Sequence, residues 1–333
     1  MTVDTAPKTR SLGQSGISVF PIGLGCMSLS GAYGKSDDAN AIRVIHHAID
    51  RGVTFLDSSD MYGWGHNESL LGKALAGRRD KVVLATKFGQ TQQPGGANGV
   101  DGSPAYVKAA CEASLKRLGV EVIDVYFQHR VDPKVPIEDT VGAMGELVKE
   151  GKVRALGLSE AGPETIRRGH KTHPLAAVQS EYSLLYRAHA EETLKTTRAL
   201  GISYIAYSPL GRSLLTGAVR QASDIPEGDG RGRHPRFAAD NLARNLALVA
   251  GIEAVAREKG CKPGQVALAW LLAQGPDIVP IPGTKRVERI DENLAALSVV
   301  LSAGDIARLS SALPPGAAAG TRYPEGGMKG VHI

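Results

Sequence analysis

Short runs of apolar, largely β-branched residues recur along this chain. Between them lie stretches whose apolar residues return at helical spacing. Eight runs read as strands: Ile22–Met27, Thr54–Ser59, Val82–Lys87, Val122–His129, Ala155–Glu160, Ala177–Ser183, Ser203–Pro209 and Ile278–Thr284. They are near-continuously apolar rather than alternating, the mark of a parallel sheet covered by helices. The stretches between them carry helix punctuation. Asp37–Arg51 has Ser36 as an N-cap and Gly52 past its end. Ser103–Leu118 has Pro104 in its first turn and Gly119 beyond it, and Pro136–Glu150 repeats that grammar with Gly151. Ala188–Leu200 stops at Gly201, and Pro263–Ala273 and Arg286–Leu297 flank the last strand.

Eight β-α units in about 250 residues predict an α/β fold, the (β/α)8 or TIM barrel. The chain has 333 residues, and the surplus is identifiable. Residues 11–20 read as a short N-terminal β-hairpin turning at Ser15-Gly16. Residues 211–236 form a long loop after strand 7, rich in glycine and arginine, and residues 303–333 form a C-terminal extension. No linker divides the chain, so residues 1–333 are expected to be a single barrel domain. Two other α/β readings fail on their motifs. Gly23-Leu24-Gly25-Cys26-Met27-Ser28 lacks the third glycine of a Rossmann turn. Gly157-Leu158-Ser159-Glu160-Ala161 lacks the last glycine of a nucleophile elbow.

Composition narrows the class. Hydrophobic residues at 42% and charged residues at 22% exclude a disordered or coiled-coil chain. The net charge of +5 suits an anionic small molecule as well as a nucleic-acid surface and decides neither. No basic stripe with interleaved aromatics points to nucleic acid. No apolar run reaches the ~18–20 residues of a membrane span, and the first residues lack the apolar core of a signal peptide. Cys26, Cys111 and Cys261 are sparse and far apart, which predicts neither a disulfide framework nor a metal site. A reducing cytoplasm is the expected compartment.

Side chains at the C-terminal ends of barrel strands converge on one mouth. Asp57, Lys87 and His129 stand there on three successive strands, and Tyr62 follows Asp57 in the loop Asp60-Met61-Tyr62-Gly63-Trp64-Gly65. Together they suit protonation of a carbonyl oxygen. Hydride addition to a carbonyl carbon leaves negative charge on oxygen, which needs donors and finally a proton. Tyrosine is a weak acid of pKa about 10. A neighbouring ammonium from Lys87 is expected to lower that value, with Asp57 holding the lysine charged. His129 adds a second donor that positions the carbonyl. Each residue alone has a commoner reading: a capping aspartate, a packed loop tyrosine, a solvated lysine, a structural histidine. Their order on consecutive strands favours catalysis.

The chain resembles the aldo-keto reductase family over about residues 8–300. The resemblance runs through residues 56–75 (LDSSDMYGWGHNESLLGKAL), 82–89 (VVLATKFG) and 114–133 (SLKRLGVEVIDVYFQHRVDP). It continues through 151–160 (GKVRALGLSE), 178–187 (VQSEYSLLYR), 204–217 (YIAYSPLGRSLLTG) and 281–297 (IPGTKRVERIDENLAAL). It implies a barrel, a catalytic tetrad of Asp57, Tyr62, Lys87 and His129, and NADPH (or NADP+) bound without a Rossmann domain.

The cofactor residues also have a direct reading. Gly283-Thr284-Lys285-Arg286 joins the last strand to a helix, and Arg289 lies one turn on. Free N–H groups at a helix start, with three cations beside them, suit a 2′-phosphate. The plain alternative is a solvated basic helix face. The resemblance places Thr284, Lys285, Arg286 and Arg289 at that phosphate, with Glu292 and Asn293 near the adenine. It places Tyr207 against the nicotinamide ring, where barrel core is the other reading. Ser159 and Gln179 would bond its carboxamide, and Ser208, Leu210, Gly211 and Ser213 would follow the pyrophosphate. The loop beyond them reads as a clasp over the dinucleotide or as a disordered surface insertion. Glu160 departs from the asparagine many members carry; an ionised glutamate can only accept from the carboxamide. Met27, Tyr33 and Trp64 lie on mouth loops and suggest a partly apolar substrate pocket.

The expected activity is NADPH-dependent reduction of aldehydes or ketones, with Tyr62 as the proton donor. The alternative is an NADPH-binding regulatory module resembling potassium-channel β subunits. The expected partner is a small-molecule carbonyl compound, with neither nucleic acid nor membrane, in a monomer or homo-oligomer.

Overall fold

The computed structural model describes residues 9–92 and 98–332. Eight parallel strands follow one another around a single sheet: β1 (Leu24–Gly25), β2 (Phe55–Asp57), β3 (Val83–Phe88), β4 (Ile123–Gln128), β5 (Val153–Ser159), β6 (Leu175–Glu181), β7 (Ser203–Tyr207) and β8 (Ile278–Pro280). The barrel closes where the Gly23 N–H donates to the Pro280 carbonyl at 2.9 Å and the Gly25 N–H to that of Pro282 at 3.4 Å. This seam needs glycine. A Cβ on Gly283 would lie 2.7 Å from the Gly25 carbonyl oxygen, and one on Gly25 would lie 2.8 Å from that of Ile281. The first and last strands are shorter than the sequence predicts. After β8 the reason is local, because Pro280 and Pro282 have no N–H to extend the ladder.

Around the sheet run α1 (Asp38–Asp50), α2 (His66–Ala74), α3 (Pro104–Leu118), α4 (Ile137–Lys149), α5 (Pro163–Thr172), α6 (Ala188–Ala199), α7 (Ala239–Glu258), α8 (Pro263–Ala273), α9 (Val287–Leu294) and α10 (Ala303–Ala312). The N-cap of α1 is Asp37, whose carboxylate accepts from the Asn40 N–H at 2.9 Å, and not Ser36. Helices α2, α5, α7 and α10 carry no sequence prediction. Helices α2 and α7 start after Gly65 and Ala238 with neither a side-chain cap nor a first-turn proline to mark them. A small antiparallel pair, Gln90–Gln92 with Asn98–Val100, also follows β3.

Two layers of core result. Between sheet and helices pack residues such as Val44, Leu70, Tyr126, Met144 and Leu158. Inside the barrel lie Phe55, Ala85, Val125, Phe127, Ala177, Ile205 and Val279. The predicted N-terminal hairpin is present, pairing Arg10 with Val19 and Ser11 with Ser18. Its Leu12, Ile17 and Val19 join the barrel interior. Ser203, at the start of β7, accepts from the Gly13 N–H at 2.8 Å and donates to the Ser11 carbonyl at 2.7 Å. The hairpin therefore plugs the N-terminal end of the barrel, and the chemistry-bearing residues occupy the other end. Among the described residues, no helix is long and apolar enough to cross a membrane.

Candidate active site

The barrel register brings the four residues selected from the sequence to one mouth. Asp57 is the last residue of β2, Lys87 the penultimate residue of β3, and His129 follows β4. Lys87 is fully buried, and its ammonium uses all three protons. It donates to Asp57 Oδ2 at 2.7 Å, to the Ser58 carbonyl at 2.6 Å and to the Tyr62 hydroxyl at 3.1 Å. The other Asp57 oxygen accepts from Gln179 Nε2 at 2.7 Å. His129 Nδ1 lies 3.0 Å from Ser59 Oγ, and its ring meets that of Tyr62 edge-on at 5.9 Å.

The charge states follow from this packing. Burial works against the Lys87 ammonium, but Asp57 and Tyr62 outweigh it and hold its pKa above the ordinary value. Burial, Arg130 and Lys87 push His129 far below its ordinary value, so at neutral pH it is a neutral ring. Tyr62 corrects an expectation. Lys87 does pull its pKa down, but burial and, less strongly, Asp57 push it up, to about 12. The phenol is fully protonated at neutral pH, the state a proton donor needs.

Asp60 gives a test of this electrostatic picture. Burial, then Glu68, raises its pKa from 3.8 to about 7. The folded chain therefore holds a proton there that the unfolded chain has already released, and stability falls as pH rises from about 4 to about 7. Asp60→Asn should raise the melting temperature at about pH 8 more than at about pH 5. An equal gain at both would contradict the assignment.

The expected cofactor face is less open than the sequence suggests. Lys285 does not point freely to solvent: its ammonium donates to the carbonyls of Tyr33, Gly34 and Lys35. Arg289 bonds Glu292, which also accepts from Lys262 at 2.6 Å. Arg286 is the N-cap of α9 and half exposed; its N–H donates to Thr284 Oγ1 at 3.1 Å. Asn293 is buried on the inner side of α9, beside Ile22 and Pro282. Residues 211–236 fold as a chain of short 3-10 turns. They lean on the loop after β1: Gly230 packs on the Ala32 carbonyl, and the Arg231 guanidinium lies 5.8 Å from the Tyr33 ring. Lys285 holds that same loop through its three carbonyl contacts.

The profile of the Aldo/keto reductase family matches residues 21–314. The chain belongs to the aldo/keto reductase family. It is 47% identical over 317 residues to a protein of Glycine max named "Probable aldo-keto reductase 1", covering 95% of this chain and 91% of that one. A glycerol dehydrogenase of Gluconobacter oxydans superposes with a TM-score of 0.84 at 29% identity, covering 92% and 95% of the two chains. An aldo/keto reductase of Klebsiella pneumoniae, solved with NADP and acetate, gives a TM-score of 0.74 at 26% identity, covering 95% and 99%.

Backbone strain gathers at the mouth. Trp64, Glu160, Ser208, Arg212 and Ser213 have φ of 51°, 56°, 48°, 55° and 81°. Left-handed backbone at a residue other than glycine costs about 1–3 kcal/mol and gathers at functional sites. All five follow the C-terminal ends of β2, β5 and β7. Among them stand predicted residues Ser208 and Ser213, with Leu210 and Gly211 between. Of the proposed pocket residues, Trp64 is 45% exposed, and Met27 and Tyr33 are half-buried on the loops after β1.

Ser159, Gln179 and Tyr207 stand at the same mouth, each with a partner inside the protein. Ser159 Oγ accepts from Arg130 at 3.3 Å. The Tyr207 hydroxyl donates to Glu160 at 2.7 Å. Glu160 in turn meets Arg322 through both oxygens, at 2.7 and 2.8 Å. Although burial opposes ionisation, Arg322 and, less strongly, Arg130 and Tyr207 hold the Glu160 carboxyl at about 2. Sequence reasoning missed Ser59, Arg130 and Arg322, as well as Glu181, which accepts from Arg236 at 2.6 Å, and Tyr323, whose hydroxyl lies 2.9 Å from that of Tyr207. Arg130 was findable as the neighbour of His129. Arg322 lies in the Gly/Pro-rich tail, where no local pattern marks it. Elsewhere among the described residues, His189, Glu192 and His332 bring one ligand-type atom each within 4.8 Å of the others at the surface.

Proposed function

We propose that this chain is an NADPH-dependent reductase of aldehydes or ketones, with Tyr62 giving a proton to the carbonyl oxygen. The observation that carries the reading is a protonated phenol 3.1 Å from a buried, fully engaged ammonium. That phenol sits edge-on to a neutral imidazole at the open end of the barrel.

The residues present fit the cofactor. Exposed Arg286, with Arg289 and the Thr284 hydroxyl at the start of α9, forms a cationic donor set suited to a 2′-phosphate. The strained backbone of Ser208 to Ser213 and the contacts from Lys285 and Gly230 onto the loop after β1 suit a channel for a long dinucleotide. The Klebsiella pneumoniae relatives, one with NADP and acetate and one with NADPH, support the same choice. When bound, the reduced nicotinamide supplies hydride to the carbonyl carbon.

The protein's own work is positioning and proton delivery. His129 and Tyr62 together orient the carbonyl oxygen and place donors where charge develops. Tyr62 releases its proton to that oxygen. Lys87 lies against the resulting phenolate and stabilises it, and Asp57, braced by Gln179, keeps the ammonium in place. A phenol of pKa about 12 holds its proton until a far stronger base, the nascent alkoxide, is present.

Oxidation of NADPH with a chemically varied set of aldehydes and ketones tests the reading. Turnover with several of them is expected. Tight NADPH binding without turnover of any would favour the regulatory-module reading. The 2′-phosphate assignment has its own test. Arg289→Leu should raise KM for NADPH and change KM for NADH little. Equal increases for both cofactors would contradict it.

A further inference from the structure

The C-terminal tail returns across the barrel mouth. Ala319 is held both ways by Asn245, its N–H donating to Oδ1 at 2.8 Å and its carbonyl accepting from Nδ2 at 3.0 Å. Near the end of the chain, the His332 N–H donates to the Glu160 carbonyl at 2.7 Å. Between these anchors Arg322 turns inward, with its side chain 1% exposed. Its two terminal nitrogens meet the two Glu160 oxygens, its guanidinium lies 4.1 Å from the Tyr186 ring, and Glu181 is 3.9 Å away.

A buried ion pair is weak evidence for stability, and its better-attested use is to fix one geometry. Here the geometry is that of Tyr207. Glu160 Oε1, one of the oxygens held by Arg322, takes the Tyr207 hydroxyl at 2.7 Å, and Tyr323 from the same tail stands 2.9 Å from that hydroxyl. Two successive tail residues thus hold the outer end of one ring. The Arg322–Glu160 fork is planar and bidentate, so it sets direction as well as charge. The glutamate that departs from the family pattern is therefore committed to the protein interior.

We propose that Arg322 is a positioning residue for the cofactor: through Glu160 it fixes the ring of Tyr207 as the wall on which the nicotinamide stacks, making the C-terminal tail part of the cofactor site. This rests on the function proposed above.

The test uses the full chain and NADPH itself, with affinity read from quenching of protein fluorescence and folding from thermal melts. Arg322→Met should weaken NADPH binding about tenfold, or ~1.4 kcal/mol, and raise its KM, while kcat at saturating cofactor changes much less. Arg322→Lys keeps the charge but loses the fork and should fall between. Tyr207→Phe cuts the same chain of contacts at the hydroxyl without exposing a buried charge. It keeps the proposal testable where Arg322→Met does not fold, and it should also weaken binding. Combined with Arg322→Met it should add little. Folded Arg322→Met or Tyr207→Phe protein that binds NADPH like the wild type would overturn the proposal, as would fully additive losses. Absence of NADPH binding by the wild type would instead remove the functional reading beneath it.

Discussion

Tyr62→Phe should lower carbonyl-reducing turnover by about two to four orders of magnitude and leave NADPH affinity and thermal stability close to wild type. The change removes one oxygen from a ring that otherwise keeps its packing against His129. The Lys87 ammonium loses one of three acceptors but keeps Asp57 and the Ser58 carbonyl. The fold therefore keeps its buried ion pair, and the reaction loses its proton donor. Steady-state kinetics beside a cofactor titration separate the two. Turnover near the wild-type level would show that the proton comes from elsewhere.

Lys87→Met should abolish turnover and also destabilise the fold, by about 3–5 kcal/mol. Lys87 is 0% exposed and Asp57 3% exposed. Removing the cation leaves a carboxylate deep in the barrel with Gln179 as its remaining side-chain donor. The cost is that of an uncompensated buried charge rather than of a lost attraction. Adding Asp57→Asn to Lys87→Met should therefore recover part of the stability while turnover stays lost. Denaturant unfolding of the two single variants and the double variant measures this. A loss below ~1 kcal/mol in Lys87→Met, the range of a surface pair, would contradict the picture of a sealed ion pair.

The barrel was legible because its strands are nearly pure apolar runs separated by capped or proline-started helices. Asp57, Lys87 and His129 were legible because strand ends in a parallel barrel must converge. The balance between burial and charge at Tyr62 is not legible in the sequence. The ammonium beside Tyr62 was foreseen, but the burial that outweighs it depends on packing that no single segment encodes. Helices α2 and α7 begin with neither a capping side chain nor a first-turn proline, the start signals that mark α1, α3 and α8. Arg322 lies 162 positions from Glu160, and neither neighbourhood signals the other. Glu160 is marked in the sequence only as a departure from a pattern, and its partner is brought to it by the tail folding back across the mouth.

In the function proposed here, hydride from NADPH reaches a carbonyl carbon and the cluster at the mouth delivers a proton to its oxygen. Reduction of an aldehyde with NADPH deuterated at the transferring position tests it most directly, with the alcohol read by mass spectrometry and NMR. One deuterium is expected on the carbinol carbon. Alcohol without that deuterium, or NADPH binding with no alcohol from any carbonyl compound tried, would contradict it.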